Sequence, residues 1–360
     1  MSLKIGIVGL PNVGKSTLFN ALTNNNILAA NYPFATIEPN TGIVPIPDSR
    51  LDKLANIFNA KKIVPATIEF IDIAGLVAGA STGEGLGNKF LSHIRECNAI
   101  VQVVRDFTDT NVLHVDNELH PDNDISVINT ELVLADLQTL SKVLPRLEKE
   151  ARANPKMAPQ VQLLKEANAL LDDGSPIFSN EDLRKQIIEY KDLQLLTAKP
   201  IIYLFNVDEA TLTDSAKQAQ LTEIVAPANA LFVNAKLEDE LRDLNEQDRS
   251  EMLKEYGVNE SGLIKLINAA YDTLGLQSYL TAGEKEVRAW TINKGSTAPQ
   301  AAGVIHTDFE RGFIAADVVD YDDLINAGSK TNARSNGKLR TEGKTYIMQP
   351  GDIVEFKFNV

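Results

Sequence analysis

Short apolar runs alternate with longer amphipathic segments along most of this chain. Six of these runs are continuously apolar or alternate in polarity, which predicts β-strands. The runs are residues 3–8, 41–46, 66–71, 99–105, 200–205 and 231–233. A helix is predicted to begin at Ser16, soon after the first strand. Strands that alternate with helices are typical of an α/β fold with a parallel sheet.

Residues 125–197 interrupt this pattern with helical periodicity. Apolar residues there are spaced by four and then three positions, which is the seam of a coiled coil. The seam residues are Val133, Leu137, Leu140, Leu144 and Leu147, and after Pro155 and Pro159 the spacing resumes with Val161, Leu164 and Leu171. A further helix is predicted after Asn180 as its N-cap. We predict an inserted antiparallel helical arm, which serves either as a docking surface or as a structural brace.

The segment from Gly9 to Ser16 reads G-L-P-N-V-G-K-S and matches the phosphate loop G-x-x-x-x-G-K-[ST] between a strand and a helix. Its glycines let backbone N–H groups turn toward one anion, and the helix N-terminus adds partial positive charge. Lys15 is predicted to reach the β- and γ-phosphates, and the Ser16 hydroxyl to bind Mg²⁺. The predicted nucleotide-binding residues of this loop are Asn12, Val13, Gly14, Lys15, Ser16 and Thr17.

Two further segments match the switch regions of Ras-like enzymes. Asp72 opens a D-x-x-G motif, so it is predicted to hold Mg²⁺ through a water, and the Gly75 N–H to contact the γ-phosphate. Thr36 is the candidate second Mg²⁺ ligand. Leu76 stands where such enzymes carry a water-orienting glutamine, which predicts slow hydrolysis. His114 is a candidate replacement, and a histidine with no catalytic role is the alternative.

The predicted fifth strand leads into a segment that bears on base selection. A guanine-specific enzyme carries N-K-x-D there, but this chain has Val207 for the lysine and Glu209 for the aspartate. Asn206 and nearby backbone groups match the donor and acceptor of adenine, so we predict ATP over GTP. Asp208 is the alternative, as a displaced guanine reader. The sixth strand leads into a second predicted base-binding segment, Asn234, Ala235 and Lys236.

A chain of 360 residues is long enough for two or three domains. Its apolar content of 44% and charged content of 23% are typical of a soluble globular protein. No apolar run approaches the roughly 20 residues that cross a bilayer, so no membrane partner is expected. Cys97 is the only cysteine, which excludes an internal disulfide. Together with the lack of a basic secretion signal at the start, these features predict a cytoplasmic protein.

The net charge of −14 disfavours general attraction to nucleic acid. Residues 329–344 are a local exception, with five basic residues and one glutamate. The basic residues are Lys330, Arg334, Lys338, Arg340 and Lys344. This stretch is either a solvated loop or an RNA-facing patch, and the sequence leaves both interpretations open.

Residues 279–360 carry a separate pattern. Strand alternation over 287–292, a short helix over 300–305 and a strand over 353–358 predict a compact β-grasp-like sheet. Trp290 is predicted to lie in its core and not to stack on a base. His306 is a candidate RNA contact, with a hydrogen-bonded structural role as the alternative.

Several motifs occur in order along the chain: G-L-P-N-V-G-K-S, N-Y-P-F-A-T-I-E-P-N, D-I-A-G-L, G-E-G-L-G-N-K-F, N-V-D-E and H-T-D-F-E-R-G-F-I-A-A. In this combination the chain resembles the YchF or Obg-like ATPase family over nearly its whole length. The resemblance implies an ATPase with a hydrophobic residue at position 76 and Mg²⁺ held by Ser16 and Thr36. It implies adenine binding through the loop at Asn206 and Val207. Asn12 is a candidate to help bind K⁺, as in some relatives.

The resemblance also implies a C-terminal TGS domain. It implies association with the ribosome, both with the large subunit and with the whole ribosome. The predicted fold class is α/β: a Ras-like P-loop NTPase domain, an inserted antiparallel helical arm and a C-terminal β-grasp-like TGS domain. The predicted domains are 1–124 with 198–278, then 125–197, then 279–360. The predicted partners are ATP, the ribosome or RNA through the TGS domain and arm, and proteins that the sequence does not identify.

These features predict a slow Mg²⁺-dependent ATPase that binds the ribosome and acts as a switch in translation-linked or stress-linked regulation. The residues predicted to act in catalysis are Lys15, Gly75 and His114. One alternative is a GTPase translation factor. Another is a ribosome- or RNA-binding module in which nucleotide hydrolysis is incidental.

Overall fold

The computed structural model describes residues 3–23, 40–74, 86–108 and 119–359. The chain divides into two compact units, one formed by residues up to 44 with 69–273 and the other by 45–68 with the residues from 274 onward. The predicted α/β class is confirmed. The predicted domain boundaries stay predictions, although residues 45–68, assigned above to the nucleotide-binding domain, pack with the C-terminal unit.

The strands lie mostly where the apolar runs predicted them. They are β1 (Lys4–Val8), β2 (Thr41–Pro45), β3 (Ile63–Val64), β4 (Thr67–Asp72), β5 (Ala99–Asp106), β6 (Ile201–Val207), β7 (Asn229–Val233), β8 (Leu276–Ala282), β9 (Val287–Asn293), β10 (Phe313–Asp320), β11 (Arg340–Glu342) and β12 (Asp352–Phe358).

The helices connect these strands. They are α1 (Lys15–Thr23), α2 (Arg50–Phe58), α3 (Leu86–Glu96), α4 (Pro121–Ala153), α5 (Ala158–Asp172), α6 (Glu181–Ile187), α7 (Ser215–Val225), α8 (Ala235–Leu241), α9 (Glu246–Glu255), α10 (Gly262–Thr273), α11 (Ala298–Ile305), α12 (Thr307–Arg311), α13 (Tyr321–Ala327) and α14 (Lys330–Ser335).

The first unit is built on a sheet with the strand order β2-β4-β1-β5-β6-β7. The pairings of β1 with β4 and β5, of β5 with β6 and of β6 with β7 are all parallel. Every residue of β5 and β6 is buried, which explains their nearly continuous apolar sequences. Because parallel strands end at one edge, the loops after β1, β4, β5, β6 and β7 meet there.

The inserted segment forms a helical hairpin within this unit. Helix α4 begins at Pro121, earlier than the predicted start at 125, because proline suits the first helical turn and Asp122 and Asp124 favour the helix N-terminus. Helices α4 and α5 pack on each other through the predicted seam. The seam residues Leu140 and Leu164 are fully buried there. The Asn180 side chain accepts a hydrogen bond from the Leu183 N–H, as predicted for an N-cap.

The second unit contains a mixed sheet with the order β11-β10-β12-β8-β9-β3. The predicted helix over 300–305 and the two predicted strands are confirmed as α11, β9 and β12. Trp290 is partly buried, and its indole N–H donates to the Thr281 hydroxyl at 2.9 Å. The His306 Nδ1 accepts from the Asp308 N–H at 3.2 Å, so this histidine caps α12. Both structural interpretations agree with these contacts.

Candidate nucleotide-binding site

The phosphate loop joins β1 to α1, as its sequence predicts. Asn12 and Gly14 have φ values of 65° and 89°, in the left-handed region. A Cβ on Gly14 would lie 2.3 Å from the Asn206 Nδ2, so only glycine fits here. The Gly14 carbonyl accepts from the Leu18 N–H at 3.0 Å and opens the helix. The loop therefore places backbone N–H groups at a helix N-terminus, which is an anion-binding geometry.

Two charged residues of the predicted chemistry lie in contact at this loop. Asp72 ends β4 and pairs in register with Ile7 of β1, so it stands beside the start of the loop. The Lys15 ammonium donates to the Asp72 Oδ1, and these side chains are only 10% and 17% exposed. The structure thus brings the predicted phosphate-binding cation and the predicted Mg²⁺-binding carboxylate together.

The described residues fit a Mg²⁺ ion chemically. Ser16 offers an exposed hydroxyl in the first turn of α1, next to Lys15. Asp72 offers a carboxylate on the side of Lys15. Hydroxyl, carboxylate and phosphate oxygens are the ligands that Mg²⁺ takes in nucleotide sites. Thr36, the third predicted metal residue, lies outside the described residues, as do Gly75, Leu76 and His114.

Asn206 joins the two loops of the site. Its side chain is 4% exposed, and its Nδ2 donates to the Val13 carbonyl at 3.0 Å. Its Oδ1 accepts from the Ala235 N–H at 3.0 Å. The amide predicted to read adenine therefore hydrogen-bonds to the phosphate loop and to the turn after β7. This geometry gives Asn206 a positioning role.

The other predicted base-binding residues are also arranged by backbone contacts. The Val207 side chain is 1% exposed and lies in the core, so this residue offers the base only its backbone. The Asn234 Nδ2 donates to the Val207 carbonyl at 2.8 Å, and its Oδ1 accepts from the Leu237 N–H at 2.9 Å. Asn234 is thus the N-cap of α8. Ala235 is buried and Lys236 is exposed beside it.

Asp208 makes contacts that the sequence analysis missed. Its carboxylate accepts from the Thr108 N–H at 3.2 Å and from the Thr108 hydroxyl at 3.2 Å. These bonds link the loop after β6 to the loop after β5. The position of Thr108 just past the end of a neighbouring strand is the signal that could have suggested this pair. The Asp208 carboxylate, the candidate guanine contact, thus already accepts hydrogen bonds from the protein.

A buried acid lies beside this link. Asp106 is 6% exposed, and its Oδ1 lies 3.3 Å from the Lys217 ammonium. Burial raises the pKa of Asp106, the Lys217 charge and hydrogen bond lower it, and the nearby Asp208 charge raises it. The end of β5, the loop after β6 and the start of α7 therefore place two carboxylates and one ammonium close to the predicted base site.

The C-terminal basic stretch is largely neutralised within the second unit. The Lys338 ammonium lies 3.0 Å from Asp323, and Arg334 lies 3.8 Å from the buried Asp317. Lys330 contacts Glu355. The Arg340 guanidinium lies 3.4 Å from Glu342 and 3.9 Å from the buried Asp352. These ion pairs weaken the interpretation of this stretch as an RNA-facing patch.

The phosphate loop at the end of a central parallel strand, facing an aspartate on the next strand, defines a P-loop nucleoside triphosphatase. Residues 4–136 match a family model described as "50S ribosome-binding GTPase". Residues 276–359 match the model YchF-GTPase_C, described as "Protein of unknown function (DUF933)". No helix within the described ranges is long and apolar enough to span a membrane.

The chain belongs to the YchF family. It is 50% identical over 366 residues to "Ribosome-binding ATPase YchF" of Bacillus subtilis (strain 168), and the match covers all of both chains. It is 48% identical over 363 residues to the protein of the same name from Escherichia coli O157:H7, again over the full length of both.

Solved structures agree with this assignment. The structure of the Schizosaccharomyces pombe YchF GTPase is similar with a TM-score of 0.86 and 39% identity, covering 99% of this chain and 98% of that one. A GTP binding protein from Pyrococcus horikoshii OT3 has a TM-score of 0.62 at 21% identity, over 99% of this chain and 100% of that one. This second likeness supports the fold alone.

Proposed function

We propose that this protein is a slow Mg²⁺-dependent ATPase that binds the ribosome and acts as a nucleotide-controlled switch. The observation that carries the proposal is the phosphate loop with Lys15 held against Asp72. Bacterial relatives about half identical over their full length are named ribosome-binding ATPases, which supports both the nucleotide and the partner. A protein with this partner would act in the cytoplasm, in translation-linked or stress-linked regulation.

In the proposed reaction, water attacks the γ-phosphorus of ATP and the bond to the bridging oxygen breaks, which yields ADP and phosphate. Loop N–H groups and the Lys15 ammonium would stabilise negative charge on the phosphate oxygens. For this, Lys15 must exchange its contact with Asp72 for one with phosphate. The Gly75 N–H would contact the γ-phosphate. Leu76 cannot orient water by hydrogen bonding, so basal hydrolysis is slow.

The ion would be held by Ser16, Thr36 and, through a water, Asp72. Mg²⁺ supplies charge neutralisation to the phosphates when it is bound. His114 is proposed to orient the attacking water in place of a glutamine, and Asn12 to help bind K⁺. Partners on the ribosome are proposed to accelerate hydrolysis.

Selection of adenine is proposed from the base-binding loops. The Val207 side chain lies in the core. Glu209 is exposed, and its side chain is one bond longer than the aspartate that contacts guanine. The Asp208 carboxylate accepts hydrogen bonds from Thr108. Each of these features disfavours guanine. Backbone groups next to Val207 and the Asn234–Lys236 turn remain to contact adenine.

Calorimetry with ATP and GTP, each titrated in Mg²⁺ buffer, tests this proposal. We expect ATP to bind at least tenfold more tightly, a difference of about 1.4 kcal/mol. Equal or tighter binding of GTP would contradict the proposed selectivity. It would favour the alternative of a GTPase, a name that the Schizosaccharomyces pombe structure carries.

Turnover with and without purified ribosomes tests the switch. We expect slow ATP hydrolysis alone and faster hydrolysis with ribosomes, because Leu76 leaves the water to be positioned by something else. Ribosome binding with no change in turnover would favour a binding module with incidental hydrolysis. Fast hydrolysis by the protein alone would contradict the proposal.

A further inference from the structure

The first helix of the arm has a face that is exposed to solvent, as its basic residues show. On α4, the residues facing the arm core include Leu140, Leu144 and Leu147. Since successive residues are 100° apart, Lys142, Arg146 and Lys149 project from the opposite side of the helix. All three are exposed. We call these three residues the basic stripe.

The stripe is regular and extends toward the arm tip. Its members are spaced by four and three residues, so three positive charges follow one helix face over about 10 Å. Arg152, in the last turn of α4, and Lys156, in the connection to α5, are exposed just beyond it. Residues 138–156 contain five basic residues and two glutamates, within a protein of net charge −14.

Two of the three charges of the stripe have no ion-pair partner within the described residues. There, no carboxylate lies within ion-pair distance of Lys142 or Lys149. Arg146 lies 3.7 Å from Glu150, but these side chains are 70% and 49% exposed. Such an exposed pair contributes little. The other glutamate, Glu148, pairs across the arm with Lys165 at 2.7 Å.

The segment after the tip, which contains α5 and the first turn of α6, has the opposite character. Residues 158–182 contain one basic and five acidic residues. The acidic residues are Glu166, Asp172, Asp173, Glu181 and Asp182, and all are exposed. Residues 138–156 thus carry a net positive charge, whereas residues 158–182 carry a net negative charge. This asymmetry distinguishes the stripe from an evenly solvated surface.

The C-terminal stretch 330–344 is a useful comparison because it contains five basic residues, as residues 138–156 do. Four of its five charges lie within ion-pair distance of carboxylates, two of which are buried. A phosphate would have to compete with those acids. At the basic stripe it would meet Lys142 and Lys149, which have no carboxylate within ion-pair distance in the part of the chain that the structure describes.

We propose that the basic stripe is the surface by which this protein binds the phosphate backbone of ribosomal RNA. The inference rests on the proposed ribosome binding and specifies which face makes the contact. Lysine and arginine side chains spaced by four and three residues along one helix face match a row of phosphates without reading bases. No aromatic residue occurs between 138 and 156, so this face lacks the tyrosine and tryptophan anchors of protein interfaces.

Full-length protein carrying Lys142→Gln, Arg146→Gln and Lys149→Gln together tests this proposal. The probe is a short fluorescein-labelled single-stranded RNA, titrated over a series of salt concentrations. At low salt we expect at least tenfold weaker binding. Because each phosphate contact on a single strand contributes about 0.7 to the salt slope, three lost contacts should reduce that slope by about 2. ATP affinity should not change.

The matched control neutralises three paired cations, with Lys330→Gln, Arg334→Gln and Lys338→Gln in one protein. It should bind RNA within twofold of the wild type. An equal loss in both variants would indicate a general charge effect and overturn the assignment to the stripe. So would a stripe variant that loses binding to poly-glutamate but keeps its RNA affinity, because the partner would then be an acidic protein.

Co-sedimentation with purified ribosomes separates this inference from the proposed function. If the wild type does not sediment with ribosomes, the proposed function fails. If the wild type and the stripe variant sediment equally well, ribosome binding stands and the basic stripe is not its RNA contact. We expect the wild type and the control to sediment, and the stripe variant to remain mostly in solution.

Discussion

At the scale of single residues, the side chain that most constrains the site is Asn206. Its amide donates to the Val13 carbonyl and accepts from the Ala235 N–H, so it fixes the phosphate loop relative to the turn after β7. Both bonds are buried, where an unpaired backbone group costs about 1–3 kcal/mol. A residue in this role affects every nucleotide, whichever base it carries.

We therefore expect Asn206→Ala to weaken ATP and GTP binding by similar factors. Loss of both bonds leaves the Val13 carbonyl and the Ala235 N–H without this partner. The expected loss is about 10- to 100-fold for each nucleotide, measured by calorimetry in Mg²⁺ buffer.

Asn206→Asp is the matched control for that experiment. It keeps an acceptor for the Ala235 N–H, but it turns a carboxylate oxygen toward the Val13 carbonyl and adds a buried negative charge beside the phosphate loop, so its losses should equal or exceed those of Asn206→Ala. A large change in the ratio of ATP to GTP affinity would show that Asn206 reads the base, as the sequence predicts.

The sequence motifs identify Asn206 and Asp208 as site residues but do not identify their hydrogen-bond partners. Asn206 and Val13 are 193 positions apart, and Asp208 and Thr108 are 100 apart. Position in a motif indicates that a side chain lies near the nucleotide. It does not reveal that the amide or carboxylate is already hydrogen-bonded, because that depends on how two strand ends meet in the sheet.

At the scale of elements, the helical arm is attached by a buried carboxylate. Asp136 of α4 is 1% exposed and accepts from the Leu196 and Thr197 N–H groups, each at 2.8 Å, and from the Thr197 hydroxyl at 2.6 Å. This is where the chain returns from the arm toward β6. Two residues further on, the Lys199 ammonium donates to the Arg95 carbonyl at the end of α3.

This carboxylate makes the stability of the arm depend on pH. Burial raises the pKa of Asp136 from 3.8 to about 6, against its hydrogen bonds and the Arg95 charge, which lower it. Between those pH values the folded protein binds more protons at this group than the unfolded chain does. The stability that this group contributes therefore falls as pH rises from about 4 through 6.

Asp136→Asn removes this titration and places an amide against N–H donors. We expect the variant to be less stable than wild type by about 1–3 kcal/mol at pH 5, with a smaller difference at pH 7. Urea unfolding followed by far-UV circular dichroism at each pH measures it.

Thr197→Val is the control, since it loses only the hydroxyl donor and keeps the carboxylate. Its pH dependence should resemble that of wild type. A difference between wild type and Asp136→Asn that grows from pH 5 to pH 7 would show that the folded protein favours the ionised acid, contrary to this account.

Apolar spacing alone predicted both helices of the arm, since the seam residues lie where a 4-3 pattern places them. It could not predict Asp136, which interrupts the apolar face next to Ala135 and Leu137. A polar residue inside a buried face is interpretable only once its partners are known. Here they lie 60 residues further along the chain.

At the scale of the whole molecule, each compact unit is formed by two stretches that are separated in the sequence. Residues 45–68 belong with the C-terminal unit, where α2 packs against β8, β9 and α13, and β3 pairs with β9. The sequence could not show this, because 45–68 is flanked by two strands of the first sheet and reads as part of it. The long-range packing of α2 and the pairing of Ile63 with Val287 reveal the assignment.

A buried leucine in this early segment should therefore control the stability of the C-terminal unit. Leu54 of α2 is 0% exposed, so Leu54→Ala removes about 2–5 kcal/mol from the unit it packs in. Trp290, the only tryptophan, lies in β9 of that unit, so its fluorescence reports unfolding there.

We expect Leu54→Ala to lower the urea midpoint of the Trp290 transition. Leu18→Ala, an equally buried leucine of the first unit, should lower it less. If only Leu18→Ala moved that midpoint, residues 45–68 would not belong to the C-terminal unit in solution.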